Sequence, residues 1–500
     1  MKRYSIFILL IFITFIGLSL RITGLSWGLP TSKYFPAASY YPDESEVLKA
    51  YQGINPRKLN FRLTTDTVQI KGTFHPYLMA VWIKLASIFN IVEIYSSFDY
   101  YKNNPNELVK LYVTGRSLSV FFGIATILLI FFIGKGKIFY GNGKIGLLAA
   151  FFLAITPLHI IYSHYIVTDI LLTFLTTVVL FLSYYILRET NTKIYIITGL
   201  LTGLTVATKY SIFPLVIIPI LAHLLSKNKI LDKRLLFYIL FIPLGFFIGN
   251  PYSISEPQIF LASLKYSKQI NITLDPSMNS LDCFGPQNNL FFYLTTAPNH
   301  SFGIPLSLLF LCGIIFAFIK REKIDILILT WIALFLLFIS FSSPWKILRW
   351  QMPYIPLLCI LSARFIDLEG FSDPVVEVYG LTHAGHGSLC IYEIQNDRLN
   401  LLFRTVAVDY NPDTRWAPDN FKKYGYETCG EIFAGGKLTS EYRDINKDGN
   451  LDLVLSGEQE IICESDDRSN GIHELKLASI PVKKIFLWDN DAHLWGEITY

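Results

Sequence analysis

Charge is scarce in this chain. Of its 500 residues only 16% are Asp, Glu, Lys or Arg, against roughly 25% in an average globular protein. That shortage excludes a string of ordinary soluble domains. Cysteine is also sparse: the six present show no metal-type spacing, so a zinc-ribbon or zinc-finger reading falls away. Cys429 and Cys463 either pair, if their surroundings are extracytoplasmic, or stay as unpaired core thiols. No convincing internal repeat is present, which counts against an alternating-access transporter.

What fills the space is apolar. Hydrophobic residues make up 52% of the chain, and they cluster. Charge-free runs lie between Arg3 and Arg21, Arg116 and Lys135, Lys144 and Asp169, Asp169 and Arg188, Arg234 and Glu256, and Asp325 and Lys346. Each is close to the ~20 residues that cross a bilayer as a helix. The spans predict a multi-pass α-helical membrane protein with about ten transmembrane helices over residues 1–365. The charge is divided too. From Ile366 onward there are 12 Lys/Arg and 24 Asp/Glu, a net of −12, which leaves +16 for the rest of a chain whose total is +4. The acidic region argues against nucleic acid as a partner.

Basic residues set the orientation. Lys2 and Arg3 keep the N-terminus in the cytoplasm by the positive-inside rule. No small-x-small cleavage site follows Leu20, so an uncleaved first helix is expected rather than a secretory signal. Lys135, Lys137 and Lys144, then Arg188 and Lys193, then Lys227 to Arg234, then Lys320 to Lys323 all fall inside. Two long loops fall outside, from Arg21 to about Val109 and from Asn250 to about Thr296. The tenth segment is short, with 14 residues between Arg349 and Arg364. If it spans, the acidic tail is cytoplasmic; if it is re-entrant, the tail's side is open.

This orientation gathers ionisable residues on the outer face. Asp43 and Glu44 follow Tyr41-Pro42 in the first loop, and Asp169 stands at the outer mouth of the fourth helix. Phe74-His75-Pro76-Tyr77-Leu78 opens an apolar segment interrupted by Lys84, read as a helix along the membrane surface. Lys346 and Arg349, among tryptophans, close the ninth helix. The plain alternative is solvated loop carboxylates, a helix-N-terminal Asp169 favoured by the dipole and snorkelling cations. The functional one is a site, since ionisable groups at a membrane boundary are costly and cations beside aromatics suit an anionic headgroup.

Taken in order, these stretches resemble a family. Pro42-Asp43-Glu44, the His75-Pro76 segment, the run Thr156-Pro157-Leu158-His159 through Tyr162-Ser163-His164 to Asp169, Ala207-Thr208-Lys209-Tyr210-Ser211, Asn250-Pro251-Tyr252 and Arg349-Trp350-x-Met352-Pro353 look like the GT-C glycosyltransferases. The dolichyl-phosphate-mannose protein mannosyltransferase and aminoarabinose transferase branch is the most similar. The resemblance covers about residues 1–365 and implies a GT-C-like bundle. It also implies inverting transfer of a sugar from a polyprenyl-phosphate donor to an acceptor hydroxyl on the outer face. Acceptor protein, lipid or glycan all fit. It gives Asp43 the role of base, with Glu44 orienting it or the acceptor and Asp169 shaping the site or holding a divalent metal. Arg349 and His75, with Lys209 or Arg116, would face the lipid phosphate; Arg116 also reads as a cap of the second helix. A transporter or flippase, and a membrane-anchored binding protein, remain the alternatives. After Leu361 the family's further membrane helices give way to soluble sequence.

Residues 370–500 read as a soluble β-rich domain, with short alternating strands such as Val375–Tyr379 and Leu389–Ile394 between glycine-rich turns. Within it, Asp444, Asn446, Asp448, Asn450 and Asp452 surround Gly449 at calcium-loop spacing. Position 12 is Leu455, not the Glu of an EF-hand, so the segment resembles the calcium loops of FG-GAP and dockerin repeats. A plain Asp/Asn/Gly turn is the alternative. Calcium at extracellular levels favours an outer tail, slightly outweighing the charge pattern.

Overall fold

A computed structural model describes residues 3–29, 39, 41–50, 54, 56–58, 60–63, 71–95, 98–136, 142–188, 191–226, 232–273, 288–343 and 346–370. It also describes seven strands between 375 and 498. The chain divides into two compact units, Met1–Glu369 and Gly370–Tyr500.

The first unit is helical. In chain order it has α1 (Arg3–Ile22), α2 (Pro42–Ala50), α3 (Phe74–Ile88), α4 (Pro105–Lys135), α5 (Gly143–Ile155), α6 (Pro157–Ser163) and α7 (Thr168–Arg188). Then follow α8 (Thr192–Thr208), α9 (Ile217–Leu225), α10 (Lys233–Gly249), α11 (Pro257–Thr273), α12 (Ile304–Lys320), α13 (Lys323–Phe341) and α14 (Ile355–Gly370). Four helices are long and apolar enough to cross a membrane, α1 from Tyr4, α4, α7 and α13, and α5 with α6 makes a fifth span if that bent pair is one. Shorter apolar helices stand at Thr192–Thr208, Tyr210–Leu225 and Ile304–Lys320. The chain is a membrane protein.

Packing follows composition. Phe7, Ile8, Ile11, Phe12 and Phe15 of α1 are exposed, as a lipid-facing surface requires. α8 and α10 approach through glycine: a Cβ on Gly203 would sit 2.1 Å from the Ile242 carbonyl oxygen, and one on Gly245 2.0 Å from that of Leu200. Small residues let membrane helices come this close. α5 ends because Thr156 is followed by Pro157, which lacks an N–H and cannot continue the ladder; α6 leaves at 60° to α5.

α14 revises the reading of its charges. Arg364 was expected to mark the end of the tenth segment, yet it is buried and the helix continues past it. It pairs with Asp325 and lies 3.3 Å from Glu322, the capping-box residues at the start of α13. Asp367 accepts from Asn142 Nδ2 at 2.8 Å. Neutralised by these partners, Arg364 costs far less to bury than a lone cation.

In the second unit the backbone runs as β1 (Val375–Leu381), β2 (Gly387–Gln395), β3 (Arg398–Val406), β4 (Glu431–Arg443), β5 (Asp452–Ser465), β6 (His473–Asp489) and β7 (Leu494–Ile498). β1–β3 form one antiparallel sheet and β4–β7 another. Asp444, Asn446, Asp448 and Asn450 lie outside the described residues, as does Cys429. Asp452 opens β5, in register with Arg443.

Candidate active site

Two stretches far apart in sequence meet through backbone bonds, and a third joins them through the Thr73 hydroxyl. Gly72 adopts φ +146°, and a Cβ there would fall 2.3 Å from the Thr208 carbonyl oxygen, so only glycine lets these strands of chain touch. Beside it the Thr73 N–H donates to Ala207 O at 2.9 Å and the Tyr210 N–H donates to Lys71 O at 3.0 Å. The Thr73 hydroxyl donates to Gly249 O at 2.9 Å. Lys71 and Lys209 are thereby held on one side. Asp43 and Asp169 each occupy the first turn of a helix, α2 and α7, where the helix dipole favours a carboxylate. Arg349 comes from the 3-10 turn Leu348–Tyr354, fixed by buried Met352 and by Gln351 donating to the Ser301 hydroxyl at 2.8 Å.

The side chains form an alternating chain of charge. Lys71 Nζ lies 3.2 Å from Asp43 Oδ1, and Arg349 Nη2 lies 3.2 Å from Asp43 Oδ2. Arg349 Nε is 3.8 Å from Asp169 Oδ2, and Lys209 Nζ donates to Asp169 Oδ1 at 2.8 Å. Three cations thus surround two carboxylates. The Asp43 side chain is 33% exposed, whereas that of Asp169 is 4% exposed. Asp43 faces whatever enters; Asp169 holds the two cations behind it. Burial pushes the Arg349 guanidinium down to about 10, which leaves it charged at neutral pH. Its buried Nε makes no hydrogen bond, so donor capacity remains for an anion. Tyr41 and Tyr162, edge to face with each other at 6.4 Å, lie beside it at 5.7 and 6.0 Å in cation–π contact, and Tyr41 stacks on Tyr165 at 4.5 Å.

Glu44 and Arg116 stand apart from this chain. Both are fully buried; Arg116 donates to the Glu44 oxygens at 2.8 and 2.7 Å and to the carbonyls of Leu25 and Trp27. The Ile166 N–H also donates to Glu44 at 2.9 Å. Every one of these contacts ties structure together, and the Arg116 guanidinium is turned to Glu44 and two carbonyls. His75 is buried in the first turn of α3, with Nδ1 lacking a hydrogen-bond partner. Burial pushes its pKa down to about 4, so it is neutral at physiological pH. Lys71 was missed in the sequence because it carries no motif; its signal was the adjoining Gly72-Thr73.

Among the described residues no three His, Cys, Asp or Glu side chains come together. The carboxylates do not fit a divalent metal well, because each is engaged by a cation that the ion would have to displace.

The helical unit has the GT-C fold. ArnT from Cupriavidus metallidurans, solved bound to undecaprenyl phosphate, superposes with a TM-score of 0.50 at 14% identity, over 73% of this chain and 60% of that one. Two structures from Archaeoglobus fulgidus are also similar. They are the apo oligosaccharyltransferase (TM-score 0.46, 13% identity, 73% and 51% covered) and AglB with an inhibitory peptide and a dolichol-phosphate (0.45, 15%, 73% and 50%). The chain spans about half to three-fifths of these proteins. Residues 112–252 match the family model of dolichyl-phosphate-mannose-protein mannosyltransferases. No curated protein matches it.

Proposed function

We propose that this protein transfers a sugar from a polyprenyl-phosphate donor to an acceptor hydroxyl with inversion, on the outer face of the membrane. The observation that carries the reading is the accessible Asp43 carboxylate beside a surplus of one positive charge from Lys71, Lys209 and Arg349. Such a site suits an anionic leaving group next to a base. ArnT, with the same fold, binds undecaprenyl phosphate, and the matching family uses dolichyl-phosphate-mannose.

The chemistry is a single displacement. Asp43 takes the acceptor hydroxyl proton. The acceptor oxygen bonds to the anomeric carbon as the bond from that carbon to the phosphate oxygen breaks. The electron pair leaves on the phosphate, whose charge the cations stabilise. One base with room for the acceptor gives inversion, by analogy with inverting glycosidases. Asp169 holds Lys209 and Arg349 in place. His75, being neutral, would meet the donor as a hydrogen-bonding group rather than as a cation.

The charge pattern supports about ten membrane helices with the site outside. α14 packs through Arg364 on the start of α13. Residues 370–500 form a separate β-rich domain, and the loop between β4 and β5 takes calcium. Purified protein in bilayers, given labelled polyprenyl-phosphate sugars and a panel of hydroxyl acceptors, tests the activity. Inverted product supports the reading. Retained configuration removes the single displacement. Movement of the donor across vesicles with no transfer favours a flippase.

A further inference from the structure

Arg21 is a fully buried arginine at the end of α1 with no carboxylate partner among its hydrogen bonds. Its guanidinium is spent on the break between α5 and α6. Nη1 donates to Gly17 O at 2.9 Å and to Ala154 O at 3.0 Å; Nη2 donates to Leu153 O at 3.2 Å and meets His159 Nδ1 at 2.9 Å. The break explains why a cation belongs there. Pro157 has no N–H for the carbonyl four residues before it, that of Leu153, which is left with the Thr156 N–H at a long 3.4 Å. The Thr156 hydroxyl takes the Phe152 carbonyl at 2.6 Å. A helix C-terminus left with free carbonyls inside a membrane protein needs donors, and its negative dipole end favours a positive charge.

The segment beyond the break carries part of the site. Tyr162 flanks Arg349 and Tyr165 stacks on Tyr41. Asp169 follows and pairs with Lys209. The same segment is tied at other points: His164 Nε2 to Thr23 O at 2.9 Å, the Ser119 hydroxyl to Tyr165 O at 2.7 Å, and the Ile166 N–H to Glu44. Only Arg21 among these acts at the bend itself.

We infer that Arg21 is a positioning residue: by capping the broken end of α5 and holding His159, it sets the direction of the 157–169 segment. It thereby places the tyrosines around Arg349. Its effect on substrate rests on the transfer reading, whereas its effect on the segment does not.

Two variants reach the same guanidinium from different helices. Arg21→Gln removes the charge. Gly123→Ala keeps it but adds a Cβ 2.9 Å from Ser163 Oγ and 3.2 Å from Arg21 Nε. The full chain in nanodiscs is measured for melting temperature, for amide hydrogen exchange over residues 156–167, and for binding of undecaprenyl phosphate. Arg21→Gln is expected to melt within a few degrees of wild type, to exchange at least tenfold faster in that segment, and to bind the lipid phosphate at least tenfold more weakly. Gly123→Ala is expected to show the same pattern in smaller measure. Arg21→Lys, which still caps carbonyls, is expected to recover part of both losses. Unchanged exchange in the folded variants overturns the inference, and so does weakened binding with no local change in exchange. Should Arg21→Gln fail to fold, Gly123→Ala and Arg21→Lys decide the matter by the same readouts. If wild type binds no undecaprenyl phosphate, the transfer reading fails, and exchange alone still decides the role of Arg21.

Discussion

Asp43 and Glu44 are consecutive residues that the first turn of α2 sends into different surroundings. Asp43 is one-third exposed between Lys71 and Arg349; Glu44 is sealed against Arg116. The pair in the sequence looks like one acidic unit, but its members have separate tasks, and substitution tells them apart.

Asp43→Asn is expected to lower the turnover number by about 10²–10⁴-fold, the usual worth of a positioned base. Binding of undecaprenyl phosphate should hold or tighten, because one negative charge leaves a site built for an anion. Turnover at the wild-type rate by the purified variant would remove Asp43 as the base.

Glu44→Gln should fail differently. It leaves the Arg116 charge buried without its counter-ion, at a cost of about 3–5 kcal/mol. Melting temperature and yield of folded protein should fall, while Glu44→Gln with Arg116→Met recovers much of the loss. A variant as stable as wild type but inactive would return Glu44 to the chemistry.

Arg349→Ala should weaken undecaprenyl phosphate binding by about ten- to a hundred-fold, matching the ~1.5–3 kcal/mol of a charge-assisted hydrogen bond. Arg349→Lys should recover little, since an ammonium cannot reach Asp43 and Asp169 together or meet two tyrosine rings as a delocalised plane. Full recovery by lysine would show that charge alone matters there.

His75 gives a pH signature. Its pKa is about 4 in the fold and about 6.5 unfolded, so the unfolded chain binds more protons between those values. Stability is therefore full above about pH 6.5 and is lost as pH falls toward 4, by on the order of 3 kcal/mol at 1.36 kcal/mol per unit. Melting of wild type and of His75→Gln from pH 7.5 to pH 5 checks this. The variant should lose stability less steeply, and parallel curves would assign the acid sensitivity elsewhere.

Calcium should raise the melting temperature of the second unit within the full chain, and Asp448→Ala should abolish the increase. The acidic side chains of such a loop repel one another without a cation. Equal melting in calcium and in chelator would leave an ordinary turn between β4 and β5.

Much of the first unit was legible in the sequence because lipid imposes a simple rule on it. Four of the long uncharged runs become spans, the run from Lys144 to Asp169 breaks at Thr156, and Asp43, Asp169, Lys209 and Arg349 lie in one chain of ion pairs. What was not legible depends on partners. Arg21 and Arg364 read as boundary markers because a lone cation belongs at an interface. Both are interior, one on carbonyls at the broken end of α5 and the other on Asp325. Nothing local announces such partners 133 or 39 residues away. Glu44 shows the same limit, since its role depends on Arg116, 72 residues on.

The Arg21 clamp also dictates an order of assembly. α1 precedes α5 and α6 in the chain, and His159 lies 138 residues beyond Arg21. At ~5–20 residues per second, its guanidinium waits on the order of ten seconds for its acceptors to be synthesised. Through that interval the cation must stay at the membrane–water boundary, hydrated, while α1 is already inserted. The clamp can close only once the α5–α6 bend exists, so Arg21 reaches its buried partners after residues 153–159 have been made.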